Sequence, residues 1–327
     1  MLRFFLSRIA QTIAVLFTVS VIIFALMRLI PGDPVLMMLG DDFTQEAYRR
    51  LQTKLGFDRS IVTQYAIWLE AIVRGDFGDS YLNHERVSRL VWDAFLPTLS
   101  LVVASLIVGV LVAVPSGIVA AMRKDSAWDW GSMGVAIFVY SMPSFWKGIV
   151  LIWIFSVYLG WFPAMGYVHP WQDFWNGMWR LVLPAITLGT FFSGLVARII
   201  RSSLLEVLDQ DYIKAARARG VRQAALVYRH ALANALIPVV TVIGLQFGTL
   251  LGGAVLTETV FGIPGMGRLT VAAILNRDYA VVQGAILVGV FAVVLVNLGP
   301  PMAAVPHLLE GRVGDRDPQN LRDVGDW

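Results

Sequence analysis

Six apolar blocks, each long enough to cross a bilayer as a helix, leave this 327-residue sequence few folds to choose from. A hydrocarbon core about 30 Å thick takes roughly 20 residues of helix. A helix is required there because it satisfies its own backbone hydrogen bonds away from water. The blocks run Ile9–Ile30, Pro97–Ala121, Trp130–Tyr158, Leu181–Ile200, Ala231–Leu256 and Tyr279–Leu298. They predict an all-α membrane protein with six transmembrane helices. Composition agrees: 57% of residues are hydrophobic and 15% charged, against about a quarter charged in an ordinary soluble domain. Mean hydropathy is +0.67.

The first block follows Arg3 and Arg8, which resembles a signal peptide. It is too long for an apolar h-region of about 7–15 residues and lacks a small-residue cleavage site, so a retained span is expected. The net charge of +3 does not point to nucleic acid, because the basic residues gather in particular connections between blocks. Arg3 and Arg8, then Arg123 and Lys124, then Arg198, Arg201, Lys214, Arg217, Arg219, Arg222 and Arg229 all fall on one side. Positive charge is retained in the cytoplasm, so both termini are expected there. The chain then divides into residues 1–30 (N-terminus and first span), 31–96 (a long extracytoplasmic segment), 97–298 (a five-span core) and 299–327 (a cytoplasmic tail). Arg49, Arg50 and Lys54 lie in the long outer segment, which exceeds the roughly 60 residues over which the charge rule holds.

Within that outer segment, Thr44 can cap a helix running through Leu55. Ser60 can cap another, with Ile61, Tyr65, Trp68, Leu69 and Ile72 on one face and an end near Gly75. Interfacial packing and a docking surface for an external partner both fit such helices. Tyr158, Trp161, Phe162, Tyr167, Trp171, Phe174, Trp175 and Trp179 crowd the second outer connection, as an interfacial belt or as part of a gate. Gly262, Pro264, Gly265 and Gly267 predict a tight bend in the third. Gly299-Pro300-Pro301 is expected to stop the last span, leaving a polar stretch to Trp327.

The cytoplasmic stretch at 201–230 carries the strongest local signal. Asp209 or Asp211 can cap a short helix that Gly220 ends in a left-handed conformation. Ala215, Ala216 and Ala218 keep its side chains small, so a partner backbone could approach closely. Pro238 disfavours helical geometry at Ile237 and predicts a bend where the chain re-enters the membrane. A mechanical lever and a merely positive surface helix both account for this pattern. Polar residues inside the blocks mark candidate path or gate positions, because burying them in lipid is costly. They are Lys147, Gln246, Thr249, Glu258 and Asn297. Snorkelling of Lys147 and helix-to-helix hydrogen bonding by the milder residues are the plainer alternatives.

Asp211, Tyr212, Ala215, Ala216, Arg217, Arg219, Gly220 and then Ile237-Pro238 resemble the coupling-loop signature of bacterial ABC-importer permeases, with Lys214 where many families have Glu. The resemblance is to the dipeptide/oligopeptide/nickel family, and within it to the first of the paired permease subunits. It continues through Leu29-Ile30-Pro31-Gly32-Asp33-Pro34 and Arg74-Gly75-Asp76-Phe77-Gly78-Asp79-Ser80. Glu258-Thr259-Val260-Phe261, Pro264-Gly265-Met266-Gly267 and Arg277-Asp278-Tyr279 extend it across roughly Arg3 to Leu298. The resemblance implies a type I ABC-importer permease fold with a long outer segment after the first span. It implies a second homologous permease subunit, two ATP-binding subunits, an extracytoplasmic substrate-binding protein and membrane lipid as partners, in a bacterial cytoplasmic (inner) membrane. The implied action is inward movement of di- or oligopeptides by alternating access, with nickel, glutathione or oligosaccharides as alternative cargo. The residues from Asp211 to Gly220, with Pro238, would receive the drive from the ATPase.

No G-x-x-x-x-G-K-[S/T] loop occurs, so ATP and Mg are expected in partner chains and this chain carries no cofactor. Cysteine is absent, and His84, His169, His230 and His307 are scattered, which leaves no motif for a metal site or a membrane enzyme. A secondary transporter would call for intramembrane acids or an inverted repeat.

Overall fold

The computed structural model describes the backbone of residues 2–29, 34–39, 43–54 and 56–314. Ile30 to Asp33, Leu55 and the stretch 315–327, on which some of the expectations above fall, lie outside the described residues. In chain order the helices are α1 (Leu2–Leu29), α2 (Pro34–Leu39), α3 (Gln45–Lys54), α4 (Ile61–Val73), α5 (Val87–Met122) and α6 (Ala127–Ser141). There follow α7 (Ser144–Leu151, continuing as a π-helix through Ile152–Tyr158), α8 (Phe174–Leu208) and α9 (Asp211–Ala218). The series ends with α10 (Gln223–Ala225, continuing as a π-helical turn through Leu226–Ala231), α11 (Leu232–Phe261), α12 (Met266–Leu275) and α13 (Tyr279–Gly314).

Among the described residues, five helical stretches are long and apolar enough to cross a membrane: Leu6–Leu29, Val87–Met122, Phe174–Leu208, Gln223–Phe261 and Tyr279–Asn297. The sixth expected span is broken. α6 and the helix from Ser144 to Tyr158 meet at 102°, where the sequence reading expected one continuous crossing. The cause is local. Pro143 pushes Met142 into extended geometry (φ −73, ψ 130), and Pro143 itself precedes the first turn of α7. Averaged hydropathy runs straight across such a break.

Two further proline expectations are corrected. α11 continues through Ile237 and Pro238 without ending, since the proline withholds only its own N–H from the Asn234 carbonyl. α13 likewise runs past Gly299-Pro300-Pro301 to Gly314. An adjacent proline pair removes two donors and crowds the preceding turn, and the helix continues past it nonetheless. The second and fourth spans extend beyond their apolar blocks, beginning at Val87 and Phe174, because polar turns at helix ends remain helical once the apolar middle is anchored.

α8 is the axis of the bundle, and α5 lies closest to it. A Cβ at Gly117 would stand 2.7 Å from the Ala197 carbonyl, and one at Gly189 would strike the Ser105 carbonyl. Hydrogen atoms at those positions let the two backbones come together, the usual basis of tight helix packing in lipid. Around this contact Leu101, Phe192, Ile200, Leu204, Leu226, Leu250 and Phe261 form one buried core. A second core, containing Val87, Val91, Met266, Val281 and Ala285, joins α5, α12 and α13 at the end of the bundle opposite α9.

The helices expected between residues 31 and 96 form largely where the sequence placed them. The Thr44 hydroxyl accepts from the Ala47 N–H at 3.1 Å, and Ser60 accepts from Thr63 N–H at 3.3 Å. α4 closes at Gly75 (φ +80), with Asp76 N–H donating to the Ala71 carbonyl at 2.9 Å. Its face meets α1: Tyr65 shares a 2.8 Å hydrogen bond with Ser20 and sits edge-on to Phe24, beside Trp68. Ile61, expected on that face, is exposed instead, at the open end of the helix.

Candidate functional site

In the connection between the fourth and fifth spans, α8 ends at Asp209 and α9 starts two residues later, so the two helices are joined almost without slack. The N-cap position belongs to Gln210, in extended geometry and without a side-chain cap bond. Neither Asp209 nor Asp211 caps α9, a correction to the sequence reading. Asp211 occupies the first turn, where its charge complements the helix dipole, and approaches Lys214 at 3.6 Å in solvent. Ile213 is fully buried in the main core, with Ala216 and Val221 packed beside it. The helix closes as a Schellman motif: Gly220 N–H donates to the Arg217 carbonyl at 3.0 Å, and Val221 N–H to the Ala216 carbonyl at 3.3 Å. Gly220 has φ +80, and the space around its Cα is open.

The opposite face of α9 presents Asp211, Lys214, Ala215 and Ala218 to solvent, with Arg217 and Arg219 also exposed. Tyr212 is fastened from above, its hydroxyl accepting from Asn234 Nδ2 at 2.9 Å. That bond ties α9 to the start of α11, one turn before Pro238, which is exposed and makes no such link. α9 thus sits on the bundle through buried Ile213 and the Tyr212–Asn234 bond, and turns its charged residues with Ala215 and Ala218 outward.

A feature missed in the sequence lies beside it. Arg201, read there only as a positive loop residue, forms a two-pronged ion pair with Asp129: Nε to Oδ1 at 2.7 Å and Nη2 to Oδ2 at 2.6 Å. The aspartate side chain is 5% exposed and also accepts from Asp125 N–H at 3.0 Å. The pair binds the base of α6 to α8, two turns above α9. Ser126 capping α6, followed three residues later by Asp129, was the available signal, but its partner is 72 residues away.

The candidate path residues do not converge. Lys147 is buried on α7, and its Nζ donates to Thr190 Oγ1 of α8 at 3.3 Å, with no acidic partner among the described residues. Gln246 is half-buried and Thr249 exposed on α11. Asn297 lies far along α13, lining a cleft with Arg8 and Gln11. Glu258 is fully buried and fully engaged. Its Oε1 accepts from the Thr98 hydroxyl at 2.5 Å, and its Oε2 from Arg268 N–H at 3.0 Å. Gly267 N–H bonds the same carboxylate, and Thr98 accepts from Met266 N–H at 2.8 Å. Together Thr98 and Glu258 take up the first three N–H groups of α12, where an acidic group is most favourable. The glycines at 265 and 267 make room for the carboxylate: a Cβ at Gly267 would stand 2.9 Å from Oε2. The expected bend in this segment therefore holds a ten-residue helix, α12.

The outer motif ending at Ser80 meets the Arg277-Asp278-Tyr279 motif in space. Ser80 Oγ donates to Asp278 Oδ2 at 2.5 Å, and Asp278 Oδ1 accepts from Val281 N–H at 3.4 Å, capping α13. Tyr81 packs edge-on to Tyr279, and burial, helped by the Asp278 charge, pushes its phenol up to about 12. Of the aromatic residues between the third and fourth spans, Phe162 and Trp179 pack at a tilt with ring centroids 4.5 Å apart, and Trp179 Nε1 donates to the Trp161 carbonyl at 3.1 Å. Trp171 and Trp175 face outward.

A family described as binding-protein-dependent transport system inner membrane component matches residues 113–300, and its N-terminal companion matches residues 1–102. A putative peptide transport system permease protein of Brucella suis is 42% identical over 90% of this chain and 93% of its own length. The di/tripeptide transport system permease protein of Pseudomonas aeruginosa is 41% identical, over 91% of this chain and 95% of its own. The dipeptide transport system permease protein of Escherichia coli K12 is 39% identical, with the same shares covered. Among solved structures, a chain of the MetNI methionine ABC transporter in an inward facing conformation superposes with a TM-score of 0.55 at 18% identity. It covers 66% of this chain and 95% of that one, a likeness of fold.

Proposed function

The chain belongs to the binding-protein-dependent transport system inner membrane components, and from that premise we propose that it carries short peptides inward, driven by ATPase subunits that dock on α9. It is a multi-pass permease component of the inner membrane, and not the catalytic one. The cargo reading rests on one observation: about two residues in five are shared with peptide permeases across nine-tenths of the chain.

The complete machine on this reading comprises a second, homologous permease, two ATP-binding subunits that hold ATP and Mg, and an extracytoplasmic binding protein. Both termini are cytoplasmic. The Asp129–Arg201 pair supports that orientation, since it brings the loop with Arg123 and Lys124 to the same end of the bundle as the loop with α9. Closure of the ATPases would press on the open face of α9. Ile213 and the Tyr212–Asn234 bond would pass the displacement to α8 and α11, and alternating access would follow from their tilt. The sequence reading named Asp211, Tyr212, Ala215, Ala216, Arg217, Arg219, Gly220 and Pro238 for this coupling. The geometry supports the first seven most directly, because they form or close α9.

Two measurements test the proposal. Titration of the partner binding protein with di- and tripeptides should give saturable binding; failure to bind any peptide, or preference for a nickel chelate or oligosaccharide, overturns the cargo assignment. Gly220→Val places a β-branched residue at φ +80 and should separate ATP hydrolysis from uptake in reconstituted vesicles. Full coupled uptake by that variant would sink the lever.

A further inference from the structure

Between α9 and α11 the chain carries one residue too many for a regular helix. Over Leu226–Ala231 the backbone is π-helical, and at its close the Leu232 N–H donates to the Val227 carbonyl, five residues back, where an α-helix reaches four. Its last residue, Ala231, is drawn out to φ −96, ψ −40, against about −63, −42 in an α-helix. The turn contains neither proline nor glycine, so no local breaker accounts for it. Packing does: Leu226 and Val227 at its start and Ala231 at its end are all buried in the main core, beside Ile213 of α9. Tyr228, Arg229 and His230, between them, are exposed.

A second interruption lies just beyond. Pro238 has no N–H to offer the Asn234 carbonyl, so residues 232–237 stand between two gaps in the α-helical ladder. α9 grips both edges of this weakened stretch with one side chain. The Tyr212 hydroxyl donates to the His230 carbonyl at 3.4 Å, inside the π turn, and accepts from Asn234 Nδ2 at 2.9 Å, in the first turn of α11. A surplus residue in a helix can migrate, and each residue it passes is moved by one helical step, about 1.5 Å of rise and 100° of face.

We propose that the Leu226–Ala231 turn is a slip joint. Displacement of α9 draws on Tyr212 and passes the surplus residue from the π turn toward the gap at Pro238, turning residues 232–237 against α8 while Leu226 and Val227 keep their seats. A rigid α-helical joint would oblige the whole of α11 to follow α9; this one lets the start of α11 turn on its own. The inference rests on the reading of α9 as the receiver of the drive, and adds how that drive is passed on.

The test is hydrogen–deuterium exchange on the intact transporter in vesicles, nucleotide-free and held with ATP and vanadate. Amide exchange over residues 231–238 should differ about fivefold between the two states, because the bonds of the turn must open and re-form as it slips. Equal exchange in both states overturns the proposal. Deleting exposed Tyr228 shortens the Leu226-to-Ala231 and Val227-to-Leu232 spacings from five residues to four, the α-helical value. That variant should keep hydrolysing ATP while uptake falls about tenfold, and full coupled uptake by it also overturns the proposal. Should the deletion fail to accumulate in membranes, the exchange comparison on the unaltered chain decides alone. The reading of α9 is judged separately: Gly220→Val that uncouples while exchange over 231–238 stays equal in both states keeps α9 as the receiver and removes the slip joint.

Discussion

Replacing Glu258 by alanine would strip the acceptor from the N–H groups of Gly267 and Arg268 and leave the Thr98 hydroxyl without its carboxylate. Each buried donor left unsatisfied costs about 1–3 kcal/mol, so the thermal midpoint of the purified complex should drop markedly. Glu258→Gln, which keeps an oxygen acceptor, should lose less. If alanine left the midpoint unchanged, α12 would not depend on this cap. The sequence marked Glu258 as a costly polar residue in a span and could go no further, because its partner Thr98 stands 160 residues away. Lys147 was legible in the same way, as an outlier, while its single bond to Thr190 came only from the meeting of α7 and α8. Arg201 was not legible at all, hidden among the basic residues that set topology. Arg201→Ala should cost about 1–3 kcal/mol, since it removes two charge-assisted bonds and leaves the enclosed aspartate only the Asp125 N–H. Exchanging the two, with Asp129→Arg and Arg201→Asp together, should recover part of that stability; no recovery would mean that the pair contributes through its surroundings alone.

The broken span shows what apolar length conceals. Trp130 to Tyr158 is apolar enough to read as one crossing, yet Pro143 turns it through 102°. Proline had the opposite effect at Pro238 and at Pro300-Pro301, where the helices continue. The difference is the residue before: Met142 is extended, whereas Ile237 stays helical within a segment anchored by Ala235 and Val239. Tertiary anchoring, invisible in the sequence, chooses between a kink and a break. Pro143→Ala removes the restriction on Met142 and should let α6 run further, lowering ATP-driven uptake severalfold while the chain still inserts. Uptake equal to that of the unaltered protein would show that the elbow is held by packing alone. α9 was legible because its caps are local: Gly220, the alanines and Asp211 sit within ten residues, and only the identity of the N-cap residue was misassigned.

For the whole molecule, the number of apolar blocks and their order were readable, and their arrangement around α8 was not. That arrangement depends on glycines 109, 117 and 189, which look like ordinary small residues in apolar runs until α5 and α8 are seen in contact. Gly189→Leu should prevent this contact and abolish accumulation of the folded chain in membranes, whereas Gly131→Leu, in open space on α6, should be accepted. The Asp129–Arg201 pair then has a consequence for the bundle in motion. From Asp129 to the elbow, α6 is a rod about 18 Å long, pinned to α8 at its foot and turned sharply at its head. A tilt of roughly 6° at the pin would sweep the head by roughly 2 Å, the size of shift that repacks helix interfaces. The geometry of a small pantograph follows, in which a slight rotation at the foot of α6 would be redrawn at larger scale at the elbow.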